Sequence, residues 1–258
     1  IDPYHMEAYG KLAVNYNRDV EIFPVLRAIF ERIQGKSPYQ SPTDMGVNMA
    51  GFCITDDDAC CDASRREIVR RYFAAGCAKL RGSGEDAAVG KIEILMEQAG
   101  VSPENRRSAR AANALEAATG KPAAAMELSD GSVVTGKTKD LLGCASAMLL
   151  NALKTLAGIP DEVKLIAERV IEPIQRLKVT SLHNRNPRLH TDEVLIALSI
   201  SAVTNPLAEL VLKKLDELRG CDAHFSVILS EEDTKLYNRL GIHVSCEPKY
   251  EIKKLYHK

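Results

Sequence analysis

Apolar residues recur at three- and four-residue steps through roughly the first half of the chain, and the period then changes. Val20, Phe23, Leu26, Phe30 and Ile33 form a helical stripe that Gly35 ends. Pro24 lies inside that stripe, so the helix either starts late or is kinked there. Thr55-Asp56-Asp57-Asp58 caps and charges the start of a second helix. That helix carries Val69, Tyr72, Phe73, Cys77 and Leu80 on one face and Arg65, Arg66, Arg70 and Arg71 on the other. Ile92, Leu95, Met96 and Ala99 make a third helix ending at Gly100. Ser102-Pro103-Glu104 opens an Ala-rich fourth that Gly120 ends.

Beyond Pro122 the alternation of strands takes over. Residues 123–128 and 132–138 flank Ser129-Asp130-Gly131, which predicts a β-hairpin. Residues 141–157 are apolar almost all round and predict a buried helix. Further helices are predicted around 170–177, from Thr191 through Val203, and from the Asn205-Pro206 cap to Gly220. The last unit reads strand (225–229), capped helix from Ser230, strand (242–246), which implies parallel pairing. The fold class is therefore α/β, α+β overall. A helical subdomain spans residues 1–120, and a small mixed-sheet α/β subdomain spans 121–258.

Composition narrows the function classes. Of 258 residues, 34 are Lys or Arg and 35 are Asp or Glu, giving a net charge of −1. A nucleic-acid partner is disfavoured without a basic surplus, and aromatics at 5 % with no Trp supply no stacking platform. No apolar run is long enough for a membrane span. Seven scattered cysteines, an odd number, read as reduced thiols of a cytoplasmic protein and not as a disulfide framework. The start Ile1-Asp2-Pro3-Tyr4-His5-Met6 has no signal-peptide character, and its lack of a Met start points to a chain that begins inside a longer protein.

Several strings carry a resemblance. They are residues 2–10 (DPYHMEAYG), 14–26 (VNYNRDVEIFPVL), 41–48 (SPTDMGVN), 134–137 (VTGK), 185–194 (RNPRLHTDEV) and 254–258 (KLYHK). These resemble an uncharacterised bacterial family, domain of unknown function 1846. Members run to about twice this length, so the resemblance implies that this chain is the C-terminal half. The missing N-terminal half of the same protein would then carry a Gly-rich, Lys-ended phosphate loop; no such motif occurs here. The second half also resembles the cytidine-deaminase architecture in element order. The deaminase helix start H/C-x-E reads Cys144-Ala145-Ser146 here, and no C-x-x-C follows, so the zinc machinery is incomplete.

The strongest candidate site is Arg185-Asn186-Pro187-Arg188-Leu189-His190. Two guanidiniums and an imidazole precede the Thr191 helix start, whose unpaired amides favour an anion. Lys137 and His183 could converge on it. The structural alternative is that the arginines are solvated, cap helix C-termini elsewhere or pair with Asp192 and Glu193, with Thr191 a plain cap. Thr43, Asp44 and Asn48 form a second candidate, a polar loop suited to a substrate, or else the capped start of a short helix. Asp56–Asp58 reads better as a helix cap than as a cation site. Cys144 reads as a buried structural thiol.

Two readings follow. One is the C-terminal portion of an enzyme that uses a nucleotide or another phosphate-bearing small molecule, with no cofactor held by this chain. The other is a non-catalytic module for metabolite binding or subunit assembly, which leaves room for a homo-oligomer. The incomplete deaminase signature gives a first prediction: the purified protein holds no stoichiometric zinc. Elemental analysis finding one zinc per chain, lost when Cys144 is replaced, would overturn it.

Overall fold

The structure, a computed structural model, describes residues 17–40 and 57–251. It is a mixed α and β protein that divides into two compact units, Ile1–Arg106 and Arg107–Lys258.

The first unit is helical in its described residues, with α1 (Asn17–Gln34), α2 (Asp57–Leu80) and α3 (Asp86–Ala99). α1 runs through Pro24, so of the two expectations the late start is ruled out. Gly35 and Gly100 take the left-handed conformation that ends α1 and α3, as their sequence positions predict. Ala63 and Ile68 of α2 pack with Leu95 and Met96 of α3 in a small core. Arg70 is corrected from the outward face to a buried position. Glu67 accounts for it, because its two oxygens accept from Arg70 Nε and Arg71 Nε, each at 3.0 Å.

The Ala-rich helix begins later than its Ser-Pro signal predicts. Pro103–Asn105 forms a single 3₁₀ turn, Arg106 is extended, and α4 (Arg107–Thr119) starts afterwards. The division of the chain falls at this break and not near Gly120, because α4 packs on the sheet of the second unit.

That sheet has β1 (Ala123–Glu127), β2 (Val133–Lys137), β3 (Asp222–Phe225) and β4 (His243–Cys246) in the order β2-β1-β3-β4. β1 pairs antiparallel with both β2 and β3, and β3 pairs parallel with β4. The predicted hairpin is present: Gly131 has φ 78°, and Asp130 Oδ1 accepts from the Ser132 amide at 2.8 Å. The parallel closing unit is present too, but β3 lies upstream of the predicted 225–229. Residues 227–229 are buried beyond the strand end, so their apolar run marks core and not sheet.

The remaining helices are α5 (Cys144–Leu156), α6 (Glu168–Arg176), α7 (Thr191–Ala202), α8 (Pro206–Leu212) and α9 (Glu231–Arg239). A π-helical turn, Leu177–Ser181, extends α6. Asn205 caps α8 as predicted, its Oδ1 accepting from the Leu207 amide at 3.1 Å.

The two faces of the sheet differ in chemistry. Ala124, Met126, Ala223 and Phe225 face the main core with Met148, Leu149 and Leu153 of α5 and Tyr237 of α9. Tyr237 stacks edge-on against Phe225 and donates to the Ala145 carbonyl at 2.9 Å, which satisfies its buried hydroxyl. The opposite face lies under α4 and is polar towards β4. His224 Nδ1 lies 2.8 Å from Ser245 Oγ, and Glu247 accepts from Asn113 of α4 at 2.6 Å. On the apolar face α5 comes very close to β2. A Cβ on Gly136 of β2 would lie 2.2 Å from the Met148 amide nitrogen and 2.6 Å from its Cα. Those are backbone atoms that no rotamer change can move. Gly136→Ala is therefore expected to cost more than about 3 kcal/mol. Urea denaturation reads this directly, and a loss below about 1 kcal/mol would show that α5 can lift off the strand.

Candidate functional site

The residues singled out in the sequence part company in the structure. Arg185 is exposed. Asn186 serves its own loop, its Oδ1 accepting from the Arg188 amide at 3.1 Å. The Arg188 guanidinium donates to the Lys139 carbonyl at 3.1 Å and to Glu251 Oε1 at 2.9 Å. His190 forms the N-cap of α7, with Glu193 Oε2 accepting from its amide at 2.7 Å. His183 takes a left-handed backbone conformation, φ 54°, in the same exposed loop. Thr43, Asp44 and Asn48 lie outside the described residues.

The helix start expected to attract an anion already holds one. Asp233, in the first turn of α9, accepts from the Thr191 amide at 2.8 Å and lies 3.4 Å from His190 Nδ1. Ser230 Oγ donates to the same carboxylate at 3.0 Å. Glu193 does not repel a ligand either, since it turns inward to Lys178. The Lys178 ammonium, 3 % exposed, lies 2.7 Å from both Glu193 Oε2 and the Arg188 carbonyl. Arg185 apart, the charges in and beside the string are thus paired within the protein, Arg188 with Glu251, His190 with Asp233 and Glu193 with Lys178.

Burial pushes the Asp233 carboxyl up, but the bonds from His190 and Thr191 outweigh it and hold the group below its ordinary value. The Asp233 bond raises His190 above the ordinary histidine value against burial. Cys144, at the start of α5, is pushed up to about 12 by burial, which keeps it a thiol.

Lys137 belongs to a different place. With Lys139, Lys154 and Lys164 it lines a cavity of about 570 Å³ between β2, α5 and residues 161–171. Leu141, Leu142, Leu150, Val163 and Ile171 supply apolar walls, and Asn151, Asp140, Asp161 and Glu168 supply polar ones. None of Arg185, Asn186, Arg188 and His190 lines it. Lys164 is neutralised by Glu168 at 2.6 Å. The ammonium groups of Lys137 and Lys139 have no acceptor among the described residues. Lys154 is 8 % exposed and donates to the Asp161 carbonyl at 2.8 Å. Burial draws it below the ordinary lysine value, against the opposing pull of Asp161 and Glu162.

Lys139, Lys154, Lys164 and Asn151 were not among the sequence candidates. Lys154 had a readable signal, a lone cation in a helix apolar almost all round, between Leu153 and Leu156. Asp233 had none, because as the third residue of a capping box it looks locally satisfied.

Comparison with known proteins settles the family. The model "Domain of unknown function DUF1846, C-terminal" matches residues 104–256, and its N-terminal counterpart matches residues 1–100. The chain belongs to the DUF1846 family. Uncharacterised UPF0371 proteins are similar to all 258 residues. The identity is 52 % in Corynebacterium urealyticum, 54 % in Corynebacterium efficiens and 51 % in Streptococcus thermophilus. In each case the chain spans 52 % of the relative's length, about half of the curated relatives it matches. The expectation that the whole chain resembles only the family's C-terminal half is corrected, since its first hundred residues match the N-terminal model. The boundary between the two matches, residues 100–104, falls a few residues before the structural division after Arg106. No helix among the described residues is long and apolar enough to cross a membrane.

The His190–Asp233 pair makes stability depend on pH in a defined window. A carboxyl depressed on folding stabilises above its unfolded value of about 3.9 and loses that contribution as pH falls through the lower folded value. An imidazole raised on folding stabilises below about 6.5 and loses its contribution as pH rises through the higher folded value. Both contributions are complete between those limits. His190→Gln is expected to flatten the alkaline fall in stability, and Asp233→Asn to cost about 2 kcal/mol at pH 5.5. Urea titrations across pH check both, and a His190→Gln profile parallel to wild type would refute the coupling.

Proposed function

We propose that the second unit binds a small organic anion, of the phosphate-bearing class that includes nucleotides, in the cavity between β2 and α5. The observation that carries this reading is the pair Lys137 and Lys139 beside apolar walls. Ammonium groups without a protein acceptor offer point-charge donors to a phosphate or carboxylate. Apolar walls suit the carbon part of a metabolite, and about 570 Å³ exceeds what an inorganic ion needs. The site lies at the free edge of the sheet, where β2 has β1 on only one side. Asn151 Nδ2 already bonds the Thr135 carbonyl at 2.9 Å, which fixes the wall without consuming the lysines.

In this reading the Arg188 string is framework and the lysines are the binding groups. Ligand binding then stabilises by mass action, about 2.7 kcal/mol at a hundredfold excess over Kd. Melting curves with inorganic phosphate and with nucleoside phosphates are expected to shift upward for wild type. They should not shift for the Lys137→Glu/Lys139→Glu double variant, and should shift fully for Arg188→Ala despite its lower starting point. The opposite result, binding lost in Arg188→Ala and kept in the lysine variant, would refute the proposal.

A further inference from the structure

The cavity also contains a group that anion binding leaves unexplained. Three of its lysines are exposed or half-buried, whereas Lys154 is sunk into the wall in the last turn of α5. Its hydrogen-bond partner among the described residues is a neutral carbonyl, Asp161 O at 2.8 Å, and no carboxylate ion-pairs with it there. A buried ammonium without a carboxylate partner is costly, whereas a neutral amine can donate one N–H to that carbonyl and retain a lone pair. Leu153 and Ala152, its neighbours on the helix, are fully buried, so the stem is fixed. Lys137 and Lys139 occupy the same cavity as this amine.

We infer that Lys154 is a nucleophilic amine that forms an imine with a carbonyl compound held in this cavity, and that the ligand class is a phosphorylated or carboxylated aldehyde or ketone. The inference rests on the anion-binding reading for the ligand's charged end only. The amine nitrogen attacks the carbonyl carbon, and the C=O π pair moves to oxygen. Proton transfer from nitrogen gives the neutral carbinolamine. That oxygen takes a proton from solvent and leaves as water while the nitrogen lone pair forms the C=N bond, so the product is the iminium ion and its net positive charge is the proton taken up. No oxidant or reductant is needed, and water reverses the reaction. The Asp161 and Glu162 carboxylates, whose field reaches Lys154, favour the cationic iminium over the neutral amine and carbonyl. The depressed basicity of Lys154 agrees with this role, since it enlarges the neutral fraction at pH 7.

The test uses pyridoxal 5′-phosphate as the probe, followed by borohydride, which adds hydride to the imine and fixes it as a secondary amine. Peptide mapping by mass spectrometry then reads the position. Modification is expected to concentrate on Lys154 and to leave the exposed Lys213 largely unlabelled, because the amine held at the cavity wall is the less basic of the reacting nucleophiles. Lys154→Met is expected to lose the label and keep the thermal shift with inorganic phosphate. Lys213 and Lys164 in wild type are internal controls, so the position of the label decides even if the variant folds poorly. Label spread over exposed lysines with Lys154 unmodified overturns the inference, whatever phosphate does. Label on Lys154 without any phosphate shift upholds the nucleophile and removes the anion-binding reading instead.

Discussion

The approach of α5 to β2 at Gly136 sets the geometry on which the second unit depends. Backbone meets backbone there, and the helix is held at a distance that any side chain would increase. With that contact fixed, Met148, Leu149 and Leu153 reach the sheet's apolar face. Lys154, next to Leu153, is left at the wall of a cavity whose other side is the strand itself. The cavity is thus a by-product of one glycine: tight packing at Gly136 and open space beyond it, along the same helix and the same strand.

A second set of constraints is electrostatic, and it ties Arg188 and His190 into the protein's own framework. Asp233 completes the α7 start, Glu251 holds Arg188, and Lys178 holds Glu193. Each charge was visible in the sequence, but each partner lies 15 to 63 residues away. Local reading offered Asp192 and Glu193 as partners for the arginines because they are adjacent. Tertiary structure turned Glu193 inward to a lysine instead.

What was legible follows the same division between local and long-range causes. The Asp130-Gly131 turn, the Gly35 and Gly100 stops, the Asn205 and Ser230 caps and the buried α5 are written in a few consecutive residues. The start of α4 and the bounds of β3 were misplaced. Pro103 opens only one turn before Arg106 breaks it, and the apolar run after Phe225 is buried without pairing in the sheet. Of the candidate site, Lys137 could be found from the hairpin alone. Lys139 and Lys154 required knowing which helix lies over that hairpin.

The strand order carries a consequence for how this unit assembles. β1 closes with β2 across a short turn, yet its other neighbour, β3, comes roughly 100 residues later. The hairpin and α5 can therefore form as a local nucleus while the chain is still emerging. The central β1–β3 ladder must await almost the whole remaining sequence and bear the entropy of closing that loop. Until β3 arrives, the inner edge of β1 is an unpaired strand of small apolar residues, Ala123, Ala124 and Ala125. Self-association of the nascent chain is most exposed at that edge, and its backbone partners are supplied last.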